Sequence, residues 1–140
     1  MTPSAKRFLL VDDDPLTNFL SKKILGQIFG EVEIKDFVNP ELALEYIETE
    51  FENKQSEEKV TLFLDINMPN LTGWEFLEKF ETFKDSIKNQ FNIYMLSSSV
   101  DSADIKRSKL NPLVIDFIEK PLNKSIVTKI LVEIANNAYN

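Results

Sequence analysis

The chain has 140 residues, 43% of them hydrophobic, and a formal net charge of −7. This length suits one domain with a real core, the apolar share is ordinary for a globular protein, and the acidic balance argues against a nucleic-acid partner, which calls for a basic face. No apolar stretch approaches the roughly 20 residues of a spanning helix, and Met1 to Lys6 is too short and polar for a signal peptide, so no membrane partner is expected and the expected location is cytoplasmic.

Cysteine and histidine are both absent. Disulfides, thiolate or histidine-ligated zinc, Ser–His triads and a phosphohistidine of the chain's own are thereby excluded. Chemistry must come from carboxylates, hydroxyls, lysines and a hard cation.

In chain order, Lys6 to Val11 reads as a first strand ending in Asp12-Asp13-Asp14. Asp14 suits a helix N-cap and Pro15 the first helical position. Leu16, Phe19, Leu20, Ile24 and Ile28 then recur at helical spacing and predict the buried face of that helix. Gly30 closes it. Val32, Ile34 and Phe37 alternate with Glu33 and Lys35, as expected of a strand at a sheet edge. Asn39-Pro40 repeats the cap-and-proline signal before a helix carrying Leu42, Leu44, Tyr46 and Ile47.

Phe51 to Lys59 has no apolar pattern and is expected as a loop, with Glu57 and Glu58 as solvated charges. Val60 to Ile66 reads as the third strand; its apolar run, Val60 to Leu64, is the mark of a strand buried on both faces and delivers Asp65 to its end. Pro69 and Asn70-Leu71-Thr72-Gly73 lead to a helix bearing Trp74, Phe76, Leu77 and Phe80; Trp74 reads as packing or a partly exposed contact. Phe91 to Leu96 is the fourth strand, ending in Ser97-Ser98-Ser99. A short polar helix over Asp101 to Leu110 follows, then a fifth strand over Leu113 to Ile118, closed by Glu119-Lys120-Pro121. Leu122, Ile126, Val127, Ile130, Leu131 and Ile134 form the apolar stripe of a final helix.

Five strands alternating with helices over short connections predict an α/β domain, with a mainly parallel doubly wound sheet and helices on both faces. Residues 1–140 are expected to form a single domain with no output domain. Ligands of such sheets sit beyond the carboxyl ends of the strands, and there the chain places Asp12 and Asp13, Asp65, Ser97 and Lys120. A phosphate-binding loop would need glycines after the first strand. Three aspartates stand there instead, and they attract a divalent cation, Mg2+ or Mn2+. A carboxylate can also accept a phosphoryl group as an aspartyl-phosphate, with the cation, the Lys120 ammonium and the Ser97 hydroxyl neutralising and positioning the donor.

From Lys6 to the final helix the sequence resembles the receiver domain of two-component response regulators, specifically the stand-alone, chemotaxis-regulator-like kind. Val11-Asp12-Asp13-Asp14-Pro15, Leu64-Asp65-Ile66-Asn67-Met68-Pro69, Leu96-Ser97-Ser98 and Glu119-Lys120-Pro121 match its signature blocks in order and spacing. The resemblance implies a flavodoxin-like (βα)5 fold with strand order 2-1-3-4-5. It makes Asp65 the phosphoacceptor and assigns the metal to Asp12, Asp13, Asp65 and the backbone carbonyl of Asn67. Ser97 would hydrogen-bond the phosphoryl group, Lys120 would pair with a phosphoryl oxygen, Phe117 would be the switch aromatic, and the Lys120–Pro121 bond would be cis. The implied partners are a histidine kinase or histidine phosphotransfer protein and an unidentified downstream protein, bound on the face of the fourth predicted helix, the fifth strand and the final helix. The chain would be a self-modifying switch rather than a turnover enzyme.

Asn111-Pro112-Leu113 replaces the glycine turn that often precedes the family's fifth strand, and Ser98 stands where Ala is commoner. Three other readings compete. A phosphorylation-independent interaction module with a receiver fold would be expected to lose Asp65, Lys120 or the acid pair. A phosphohydrolase of the haloacid-dehalogenase type needs an acid at position 67, where Asn67 stands. A flavodoxin needs a phosphate loop after the first strand.

Overall fold

The computed structural model describes residues 6–53, 59–99 and 101–138. Its elements run β1 (Lys6–Val11), α1 (Pro15–Phe29), β2 (Val32–Phe37), α2 (Pro40–Phe51), β3 (Val60–Asp65), α3 (Gly73–Glu81), α4 (Asp85–Lys88), β4 (Phe91–Ser97), α5 (Ser102–Leu110), β5 (Val114–Glu119) and α6 (Lys124–Ala138). The five strands form one parallel sheet in the order β2-β1-β3-β4-β5, as the sequence led us to expect, with β2 at an edge.

Alternation along the strands sends neighbours to opposite faces. Leu9, Val11, Leu62, Leu64, Ile93 and Met95 pack with Ala43, Leu44, Ile47, Phe76, Leu77 and Phe80 of α2 and α3. Phe8, Leu10, Phe63, Tyr94 and Leu96 pack on the other face with Leu25 of α1 and Val127 and Ile130 of α6. Every residue of β3 and β4 is buried, which explains their mainly apolar character. Thr61 and Asn92 are the buried polar residues of those strands short of their ends.

The caps form as expected. The Asp14 carboxylate accepts from the Leu16 N–H at 2.9 Å, and the Asn39 amide oxygen accepts from Glu41 and Leu42. Gly30 ends α1 with φ of 74°, a conformation glycine adopts without penalty. Thr72 and Glu75 add a capping box at the start of α3.

Three expectations need correction. The apolar positions at the start of α1 do not face the core: Leu16 and Phe19 are 61% and 62% exposed, and Leu20 is exposed as well. The helix buries Asn18, Ser21 and Leu25 instead, with Ile24 and Ile28 half-buried. Phe51 is not loop but the buried last residue of α2, where it meets the Phe91 ring edge-on at 4.9 Å. A short helix, α4, lies between α3 and β4 where none was expected, anchored by buried Ile87. Residues 54–58, within the expected loop and including Glu57 and Glu58, lie outside the described residues, as do the side chains of Leu131 and Ile134.

Candidate phosphoacceptor and metal site

Strand register brings the acids together. Val11 pairs with Leu64 across β1 and β3, so Asp12 and Asp65, each one residue further on, leave neighbouring strands side by side. The carboxylate oxygens of Asp12, Asp13 and Asp65 lie within 4.8 Å of one another. Ser97 pairs with Glu119 across β4 and β5, and the Lys120 N–H donates to the Ser97 carbonyl at 2.8 Å. That contact sets Lys120 at the same rim. Its ammonium reaches back to Asp12 at 2.5 Å and Asp65 at 3.1 Å. The Lys120–Pro121 peptide is cis, as the resemblance implied.

Asp12 and Asp65 are buried and Asp13 is exposed. Burial, then the nearby Asp12 charge, pushes the Asp65 carboxyl from an ordinary 3.8 up to about 6, against the opposing pull of Lys120. For Lys120, burial works against the ammonium, but Asp12 and Asp65 outweigh it and hold the group above its ordinary range. Asp12 Oδ1 accepts from the Asp14 N–H at 2.9 Å. Asp12 Oδ2 faces Lys120 but receives no well-directed hydrogen bond. Three carboxylates against one ammonium leave excess negative charge among oxygen donors. That set fits a hard divalent cation, which would offset the negative charge that Lys120 alone leaves uncompensated.

Asn67 contributes its backbone N–H to Asp65 Oδ1 at 3.3 Å. The Ser97 hydroxyl does not reach toward the acids. It donates to the Ser99 carbonyl at 2.9 Å and accepts from the Ser99 N–H at 3.2 Å, closing the turn after β4. Phe117 is half-buried. The register shift between β4 and β5 pairs it with Met95, and it packs against the core cluster containing that residue. With Ile105, Ser108, Lys109, Ile115 and Asp116 it lines a cavity of about 130 Å³ between α5 and β5.

Three residues at the site were not picked out by sequence reasoning. Asn18 is buried and its amide donates to the carbonyls of Asp12 and Phe37. Gly73 packs against the backbone of Asp65 and Ile66. Asp104 of α5 accepts from the Trp74 indole N–H at 3.0 Å while the Arg107 guanidinium lies 4.6 Å over the ring. All are contacts between residues far apart in the chain or between side chain and backbone, for which local patterning carries no signal. Trp74 itself is buried, in keeping with the packing reading.

Residues 8–132 match the family described as the response regulator receiver domain. No protein of curated function matches the sequence significantly. Among solved structures, a two component response regulator from Cytophaga hutchinsonii is 27% identical with a TM-score of 0.83, over 96% of this chain and 99% of that one. A CheY-like receiver domain protein from Methanospirillum hungatei is 26% identical with a TM-score of 0.71, over 95% and 96%. The CheX-CheY-BeF3-Mg2+ complex from Borrelia burgdorferi offers a match at 19% identity and a TM-score of 0.71, over 92% and 88%, a likeness of fold.

Proposed function

The chain belongs to the response regulator receiver domain family, and from that premise we propose that it is a phosphorelay switch that accepts a phosphoryl group on Asp65 from the phosphohistidine of a kinase or phosphotransfer protein. The observation that carries this reading is the convergence of Asp12, Asp13, Asp65 and Lys120 at one strand rim. In the reaction an Asp65 oxygen forms the new bond to phosphorus as the phosphorus–nitrogen bond breaks, and the electron pair returns to the imidazole of the donor. Lys120, released from Asp65 as that carboxylate becomes an acyl phosphate, pairs with a phosphoryl oxygen. The Ser97 hydroxyl exchanges its bonds to Ser99 for one to the phosphoryl group.

Asp12, Asp13, Asp65 and the Asn67 carbonyl would hold Mg2+ or Mn2+, which when bound supplies positive charge to the incoming phosphoryl oxygens. The mark biases a two-state face built from α5, β5 and α6, with Phe117 as the aromatic that responds. The exposed Leu16, Phe19 and Leu20, on the helix that begins beside the acids, give the protein donor an apolar seat. Among the described residues no helix is long and apolar enough to cross a membrane, which suits a cytoplasmic role. The chain is a self-modifying switch, not a turnover enzyme, and its output is the binding of a downstream protein or onward transfer.

The test is transfer of labelled phosphoryl from a phosphorylated histidine kinase or phosphotransfer protein in the presence of Mg2+. Label should pass to the wild-type chain and not to Asp65→Asn. Failure of transfer from every donor, small phosphodonors included, would favour the interaction module that works without phosphorylation.

A further inference from the structure

One buried polar side chain next to the site is unused by the chemistry above. Asn18 is 2% exposed, on the inward face of a helix whose apolar Leu16, Phe19 and Leu20 point out. Burying an amide has a cost unless its hydrogen bonds are made. Here they are made to backbone at the ends of two strands: Nδ2 donates to the Asp12 carbonyl at 3.1 Å and to the Phe37 carbonyl at 3.4 Å. The Asp12 N–H also donates to Phe37, at 3.1 Å. Val11 and Phe37 are register partners, so β1 and β2 end at one level and Asn18 spans the gap between them.

Its place in the helix makes the reach possible. Pro15 is the first helical residue, so Asn18 lies one turn in, and helical side chains lean back toward the N-terminus. The bonded carbonyl is the one in the peptide joining Asp12 to Asp13. Rotation of that peptide plane would re-aim both carboxylates. Asp12 has other restraints, through the Asp14 N–H and Lys120; Asp13 is exposed, and beyond its side-chain contact with Asp65 its direction follows the backbone.

We propose that Asn18 is a positioning residue for the cation site: its amide fixes the Asp12–Asp13 peptide and so sets the geometry in which the two carboxylates meet a divalent ion. The inference rests on the cation site proposed above. Groups that orient metal ligands typically contribute tenfold to a hundredfold in metal affinity.

The test is binding of Mn2+, followed by the electron paramagnetic resonance of the free ion, with melting recorded on the same samples. The variants are Asn18→Ala, Ser21→Ala as a control on the same buried face of α1, and Asp13→Asn. Asn18→Ala is expected to weaken binding at least about tenfold while Ser21→Ala stays within about twofold of wild type. A purely structural role would lower the melting temperature and leave the affinity of the folded protein intact, which would overturn the proposal. Equal weakening in Ser21→Ala would overturn it too, by tracing the effect to helix packing. Should Asn18→Ala lack a cooperative melt, Asn18→Ser replaces it: serine is too short to bridge both carbonyls, and the same affinity criterion applies. If wild type binds no Mn2+, or Asp13→Asn binds as wild type does, the cation site itself is wrong and the inference falls with it.

Discussion

Gly73 stands directly against Asp65: a β-carbon on Gly73 would lie 2.6 Å from the Asp65 carbonyl oxygen and 2.9 Å from the Met95 methyl. The Gly73 N–H donates to the Ile66 carbonyl at 2.8 Å, so the start of α3 is stitched to the segment that carries the acceptor. Only a residue without a side chain permits that approach. Gly73→Ala should destabilise the fold by about 1–3 kcal/mol, the usual cost of overpacking, and slow phosphorylation. Gly26, mid-helix with open space around it, is the counterpart, and Gly26→Ala should stabilise by up to about 1 kcal/mol. Urea unfolding of both variants checks the pair; equal effects would contradict the contact.

Asp65 titrates near 6 against an ordinary 3.8. Between those values the folded chain holds a proton that the unfolded chain has released, so this group's contribution to stability falls as pH rises through the window. Asp65→Asn removes the fall. Without divalent cations, its stability advantage over wild type should grow from pH 4 to pH 7, and Mg2+ should shrink it by stabilising the wild-type carboxylate. Denaturant midpoints across that range check this. A constant difference would mean that Asp65 ionises normally.

The exposed start of α1 separates docking from chemistry. Leu16→Glu with Phe19→Glu should slow transfer from a protein donor at least tenfold, on the order expected from losing two buried apolar contacts. Phosphorylation by a small phosphodonor should stay within about twofold of wild type. Parallel loss of both rates would place these residues in folding rather than docking.

Trp74 is the chain's single tryptophan, and it ties α3 to α5 through Asp104 and Arg107. α5 buries only Ser108 among its side chains, so few apolar contacts hold it in place. If phosphorylation shifts α5, indole emission should change with the same time course as the gain in mass, and Asp104→Asn should alter the starting emission. Complete phosphorylation at constant emission would show that α5 stays fixed against Trp74.

The strands were legible because β3 and β4 are buried on both faces and β2 lies at the edge; their full order came from the family resemblance. Each acid could be placed at a strand end by the apolar run before it. The orientation of α1 was not legible. Its apolar spacing named Leu16, Phe19 and Leu20 as core, but the space beneath that turn is occupied by strand-end carbonyls, which demand a donor such as Asn18. Phe51 was hidden by the charged residues after it, and α4 by having one buried apolar residue in four positions. The state of Ser97 was beyond sequence as well, because a hydroxyl at the end of a strand can serve its own turn or a ligand, and here it serves the turn.

Whether Asp65 carries a phosphoryl group is read most directly from the intact mass of the protein after incubation with Mg2+ and a small phosphodonor. One added phosphoryl group is expected, mapped to Asp65 by peptide analysis, absent from Asp65→Asn and lost when the cation is removed before the donor is added. An adduct that persists in Asp65→Asn, or a wild-type chain left unmodified, would overturn Asp65 as the acceptor.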